Sequence, residues 1–294
     1  MQKMQEIENE FLRVCVDESG GALNRVFDKR RNKELLWQGS ENSWKGRDVV
    51  IFPFVARLKD RTYTVDGKEY SMDNHGLVRY SVLNVSKRCE TSVELELESD
   101  ENTLKRYPFP FRFSVAYMLE KNALRIKYRV ENTGRRSMYF GVGGHPAYII
   151  DCDEKDGEDD IGGNVILFDG VQTPVRYVLD DAGEYITSVT PPTELSEIET
   201  SKKLFDRYKT LIYGGIKGTV RLLKRCGESI DFDLGGAPYL ALWSHAKRGG
   251  YVCVEPWWGL PDFKDDGKEM AEKRSVRELE SGKVFECGYV ATYN

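Results

Sequence analysis

Three short segments of this chain put groups that can move protons beside glycine or proline. The first is Phe52-Pro53-Phe54-Val55-Ala56-Arg57, followed after a hairpin pattern by Asn74-His75-Gly76. The second is Gly143-Gly144-His145-Pro146, and the third is Val254-Glu255-Pro256-Trp257-Trp258-Gly259. Glycine and proline mark places where a strand stops and the backbone turns sharply. A side chain there is held by the sheet and can still face a pocket. Together the segments supply two imidazoles, one carboxylate and one guanidinium. The chain has no G-x-S-x-G elbow, no phosphate-binding glycine loop and no G-x-G-x-x-G fingerprint, which leaves general acid–base chemistry as the natural use of these groups.

Each of these residues also has a plainer reading. A histidine beside glycine, as at His75 and His145, is often a hydrogen-bonded structural residue. His245, in the polar stretch Trp243-Ser244-His245-Ala246-Lys247, reads as a surface residue. Glu255 is harder to dismiss. It follows the apolar run Tyr251-Val252-Cys253-Val254, which reads as a buried strand, and a carboxylate there is costly unless it is paired or functional. Trp257 and Trp258 suit a core. Beside that carboxylate they also suit a stacking platform, with Trp258 the expected platform residue.

The elements that must position these groups are strands. Apolar residues alternate through Phe111, Phe113, Val115, Tyr117 and Leu119, and resume at Leu124, Ile126, Tyr128 and Val130. This pattern predicts a long antiparallel hairpin with one buried face. Thr62–Val65 and Lys68–Tyr70, joined by Asp66-Gly67, predict a second hairpin with a type I′ turn. Further strands are expected at 11–16, 22–27, 80–86, 92–98, 138–142, 164–168, 219–223, 229–233, 239–243, 251–254 and 284–292. Short helices are expected only at Ser201–Lys209 and Glu269–Arg274. Many strands without a βαβ rhythm predict an all-β fold, a sandwich or barrel, in one domain spanning 1–294. The acidic stretch 151–160 lacks a D-x-D-x-D-G register and reads as an exposed loop rather than a calcium site.

Composition narrows the function classes. The formal net charge of −5 argues against nucleic acid as a partner. The basic cluster Lys29-Arg30-Arg31 reads as a solvated turn. Met1–Glu10 is polar, and no apolar run approaches membrane-spanning length, so a cytoplasmic protein without membrane partners is expected. The six cysteines are scattered, which in that compartment predicts free thiols. With three histidines and no ligand spacing, no metal site is expected.

Taken together and in order, five stretches resemble the aldose 1-epimerase (galactose mutarotase-like) family, in a bacterial mutarotase-like branch. They are IFPFVARLKDRTYTVDGKEYSMDNHGLVR (51–79), FPFRFSVAYML (109–119), GVGGHPAY (141–148), LALWSH (240–245) and CVEPWWGLPD (253–262). The resemblance implies a large antiparallel β-sandwich of the supersandwich kind. It also implies interconversion of the α and β anomers of a free aldose without a cofactor. By resemblance, Glu255 is the base and His145 the acid, while Arg57 and His75 hold the sugar. The best local match to the family's substrate-binding aspartate is Asp206. The competing readings are a non-catalytic carbohydrate-binding protein on the same scaffold and a glycoside hydrolase or lyase. The last would need paired carboxylates or a Tyr/Arg set in a long groove.

Overall fold

The computed structural model describes residues 3–155 and 158–294. Its centre is the predicted long hairpin. Phe111–Glu120 pairs with Ala123–Asn132 along its whole length, from Phe111 opposite Asn132 to Glu120 opposite Ala123. Phe111, Phe113, Val115, Tyr117 and Leu119 are all buried, as the two-residue alternation requires. The hairpin lies inside a nine-stranded antiparallel sheet. On one side it continues through Val284–Tyr293 and Ser229–Asp233, and on the other through Ser92–Glu98 to Asn84–Arg88.

A second large sheet packs against this one. Its middle is Thr210–Gly214, Tyr239–Trp243 and Tyr251–Trp258, and Val142–Gly144 and Ala147–Ile149 both pair with the last of these strands. Val252, Val254 and Trp258 share the main core with Phe113, Val115, Tyr117 and Tyr128 of the first sheet. The Tyr128 and Trp258 rings, 6.5 Å apart, meet across the interface between the sheets. Before these, Met4–Glu8, Leu12–Asp17, Leu23–Asp28 and Lys33–Glu34 form a four-stranded antiparallel sheet. This is the expected all-β antiparallel sandwich.

Several local expectations are corrected. Thr62–Val65 and Lys68–Ser71 do form the second hairpin, with Asp66 and Gly67 both at positive φ as a type I′ turn demands. Residues 80–86 are not one strand: Val78–Tyr80 is a 3-10 turn and the strand is Asn84–Arg88. Glu269–Arg274 contributes only the 3-10 turn Met270–Glu272. An unanticipated helix spans Glu101–Arg106, started by a capping box between Asp100 and Thr103. Lys202–Tyr208 is the expected helix, capped by the Ser201 hydroxyl. Part of the acidic stretch pairs as Asp153–Lys155 with Glu158–Asp160, while 156 and 157 lie outside the described residues. Among the described residues, no helix is long and apolar enough to cross a membrane.

Candidate functional site

The strand Tyr251–Trp258 organises the site. Its side chains alternate, so Val252, Val254 and Trp258 face the core while Cys253, Glu255 and Trp257 face the other way. Glu255 therefore sits within a strand rather than at the strand end read from the sequence. On one side Ala241 pairs with Glu255, and its small side chain leaves room there. On the other side the ladder is broken. Val142 and Gly143 pair with Trp258 and Trp257, and Ala147 resumes opposite Cys253. The unpaired gap holds Gly144, His145 and Pro146, opposite Val254, Glu255 and Pro256. Proline cannot donate to a ladder, so two prolines fit where the ladder is interrupted. Continuing the register across the gap sets His145 opposite Glu255. The result is a cross-strand pair with His145 Nε2 3.5 Å from Glu255 Oε2.

His75 arrives from a strained loop. It has φ of 62°, and Gly76 after it has φ of 82°. Its backbone N–H donates to the Ala56 carbonyl at 2.7 Å, and the Ala56 N–H donates to His75 Nδ1 at 3.2 Å. Because Nδ1 accepts, the ring proton is on Nε2, leaving His75 a neutral donor. Strain held in place by such ties is a mark of functional loops. Gly76 is the hinge of this arrangement: a Cβ there would lie 2.2 Å from the Phe52 carbonyl oxygen. Gly76→Ala should cost at least about 2 kcal/mol, from the left-handed backbone and the displaced Phe52 carbonyl. Denaturant unfolding of the purified variant checks this.

Arg57, His75, His145 and Glu255 line one cavity of about 310 Å³, together with Asn74, Arg79, Glu184, Trp44, Trp243 and Trp257. Trp44 lies over His145 with centroids 5.1 Å apart, and Trp243 meets the same ring edge-on at 5.6 Å. The His75 and His145 rings stand perpendicular at 5.2 Å. Arg57 is ion-paired with Glu184, each about one-third exposed.

The electrostatics follow from burial. Glu255 has no exposed surface, and burial, reinforced by the charge of Asp48, holds its carboxyl well above the usual carboxylate range, against the opposing pull of the nearby Trp257 indole N–H, which approaches without meeting hydrogen-bond geometry. Burial pushes His145 down to about 3, with the nearby Arg79 acting in the same direction. His75 is held well below the ordinary imidazole range by burial, then by His145, Arg79 and Arg57. Asp48, beneath the site, accepts from the backbone N–H of Leu23 at 2.9 Å and of His145 at 3.3 Å. Burial raises Asp48 to about 6 against those hydrogen bonds. Burial thus favours a proton of the Glu255–His145 pair residing on Glu255 rather than on His145.

Two expected sugar-binding residues are placed elsewhere. Asp206 is on the exposed side of the helix Lys202–Tyr208, with its carboxylate 3.4 Å from Lys209 Nζ, and does not line the cavity. Trp258 belongs to the core by strand parity, and its neighbour Trp257 takes the cavity position. That parity was available in the sequence: Trp257, two residues from Glu255, shares its face if the strand runs on through Pro256. Asn74, within the Asn74-His75-Gly76 segment, and Arg79, shortly after it, were given no role from the sequence. Trp44 and Trp243 had no local signal. His245 lies outside the cavity, its Nδ1 accepting from the Arg248 backbone N–H at 3.0 Å.

Comparison with known proteins places this geometry. A family profile described as Aldose 1-epimerase matches residues 3–159. A solved structure of a galactose mutarotase related enzyme from Lactobacillus acidophilus is 30% identical, with a TM-score of 0.92 over 99% of this chain and 97% of the other. A galactose mutarotase-like protein from Lactobacillus casei is 25% identical, with a TM-score of 0.91 over 99% of this chain and all of the other. The chromosomal protein LacX of Lactococcus lactis is 23% identical, matching 93% of this chain and 94% of its own.

Proposed function

Since the chain belongs to the aldose 1-epimerase family, we propose that it interconverts the α and β anomers of a free aldose, with Glu255 and His145 as the proton-transfer pair. One observation carries this reading. Asn74 Oδ1, His145 Nδ1, Trp257 Nε1 and both Glu255 carboxyl oxygens are buried and have no hydrogen-bond partner in the protein, and all four residues line one cavity. Unpartnered buried polar atoms are expensive, so a cavity edged with them calls for a ligand rich in donors and acceptors. A sugar has hydroxyls for these atoms and apolar C–H faces for the tryptophans. The volume is at the low end for small-molecule sites, which favours one sugar ring over a chain.

The chemistry needs a single proton in the pair. In the sugar-free site burial leaves that proton on Glu255. Sugar hydroxyls supply the donors that its carboxylate lacks, which favours moving the proton to His145. Glu255 then takes the proton of the anomeric hydroxyl, and His145 gives its proton to the ring oxygen as the C1–O5 bond breaks. The open aldehyde turns about C1–C2. Closure on its other face reverses both transfers, so no proton is consumed. Each positioned transfer supplies about 10²–10⁴-fold, and holding both groups on one substrate adds the gain of positioning. Arg57 and the Nε2–H of His75 act as donors to the sugar. No step uses a cofactor.

The test is polarimetry of freshly dissolved α-glucose and α-galactose with the purified protein. Accelerated mutarotation is expected; tight sugar binding without acceleration would instead make the chain a carbohydrate-binding protein. Arg57→Ala and His75→Ala should each weaken sugar use by about 1–3 kcal/mol. Asp206→Ala should leave the kinetics unchanged, since Asp206 faces solvent.

A further inference from the structure

Cys253 lies two residues before Glu255 on the same strand, so both side chains leave the sheet on the same face. Ala147 pairs with Cys253, which brings the preceding His145 alongside. A ring nitrogen of His145, the sulfur of Cys253 and a carboxylate oxygen of Glu255 consequently lie within 4.8 Å of one another. Cys253 and Glu255 have no exposed surface, and neither Glu255 oxygen has a protein partner. Imidazole, thiolate and carboxylate are the three ligand types of Zn²⁺, and three protein ligands with an open fourth position are its usual arrangement in accessible sites. A single buried charge is costly. A divalent ion held by one thiolate, one carboxylate and a neutral imidazole carries no net charge, which suits this floor of the cavity.

We propose that His145, Cys253 and Glu255 form a site for a thiophilic divalent cation of the Zn²⁺ class, with the fourth coordination position open to the cavity. Binding forms metal–nitrogen, metal–sulfur and metal–oxygen bonds and releases the Cys253 thiol proton and the Glu255 carboxyl proton, with no change in oxidation state. Where it rests on the mutarotase reading, the ion is an inhibitor: it occupies the pair that moves protons and excludes the sugar. The sequence predicts no metal site because its histidines and cysteines have no ligand spacing. Sheet pairing brings His145 from a distant part of the chain to Cys253 and Glu255.

The test titrates the full-length protein with Co²⁺ and follows absorption. One thiolate-to-cobalt charge-transfer band saturating at one ion per chain is expected, displaced by Zn²⁺. Cys253→Ala, with the other five cysteines intact, should lose that band and bind Zn²⁺ at least about 10-fold more weakly. Cys253→Ser is close in size to the native residue and provides the same comparison if the alanine variant does not fold. Absence of the band in the unmodified protein, or an unchanged band and affinity in the folded variant, would overturn the site. Zn²⁺ bound at this site without slowing mutarotation would overturn its inhibitory role. The optical signal does not depend on turnover, so a protein that binds Co²⁺ this way but never accelerates mutarotation would refute only the proposed function.

Discussion

Glu255→Gln should lower the mutarotation rate by about 10²-fold or more, the scale of a lost general base, while changing KM much less. Glutamine has nearly the same shape and still accepts and donates hydrogen bonds, so the sugar keeps most of its contacts. What it lacks is the proton exchange with His145, 3.5 Å away. Polarimetric rates over a range of sugar concentrations separate the two effects, and an unchanged kcat would remove Glu255 from the proton-transfer pair. Stability should move in the opposite direction. Burial keeps folded Glu255 protonated to a pH well above 4.5, where the unfolded chain is already ionised. In that window the native state binds more protons than the unfolded state, so wild-type stability falls as pH rises through it. The glutamine variant has no such proton to lose, and its Tm advantage should widen from pH 4.5 upward. An acid-side loss remains in both proteins. His145 is neutral when folded and titrates near 3 against 6.5 when unfolded, so its contribution is full above 6.5 and disappears as pH falls toward 3. A Tm difference that does not vary with pH would count against a protonated, buried Glu255.

Trp258→Ala should destabilise the fold by about 3–5 kcal/mol, the range for deleting a buried tryptophan. Its ring is 5% exposed and packs in the interface between the two large sheets, against Tyr128. The neighbouring Trp257 faces the cavity, with its indole N–H buried and without a protein partner. Trp257→Phe removes that N–H and keeps an aromatic face. It should weaken sugar use by about 1 kcal/mol or more, close to 5-fold in KM. Denaturant melts and steady-state kinetics on both variants resolve the pair. If Trp258→Ala proved as stable as wild type and raised KM instead, the strand parity that places both residues would be wrong.

How much of this was legible in the sequence depended on how local each determinant is. Two-residue alternation is local, so the long hairpin and its buried face could be read from Phe111–Leu119 and Leu124–Val130 alone. The Asp66-Gly67 turn was legible for the same reason, since its positive φ values are a property of two residues. Glu255 stood out because an acid after an apolar run is a local energetic anomaly. The sequence thereby determined an antiparallel β fold and the segments that meet at the cavity. Only the tertiary structure decided which side chains meet there. The ladder gap that sets His145 opposite Glu255 depends on pairing between strands far apart in the chain, and local periodicity does not register it. Trp243 reaches the site by pairing opposite Cys253, and Trp44 comes from a loop far away in the chain. Asp206 was drawn in by its place along the chain, but the helix Lys202–Tyr208 turns it toward Lys209 and solvent. Protonation too is a tertiary property. A carboxyl and an imidazole have ordinary affinities in an unfolded chain, and only burial on opposite sides of one ladder gap raises the first and lowers the second.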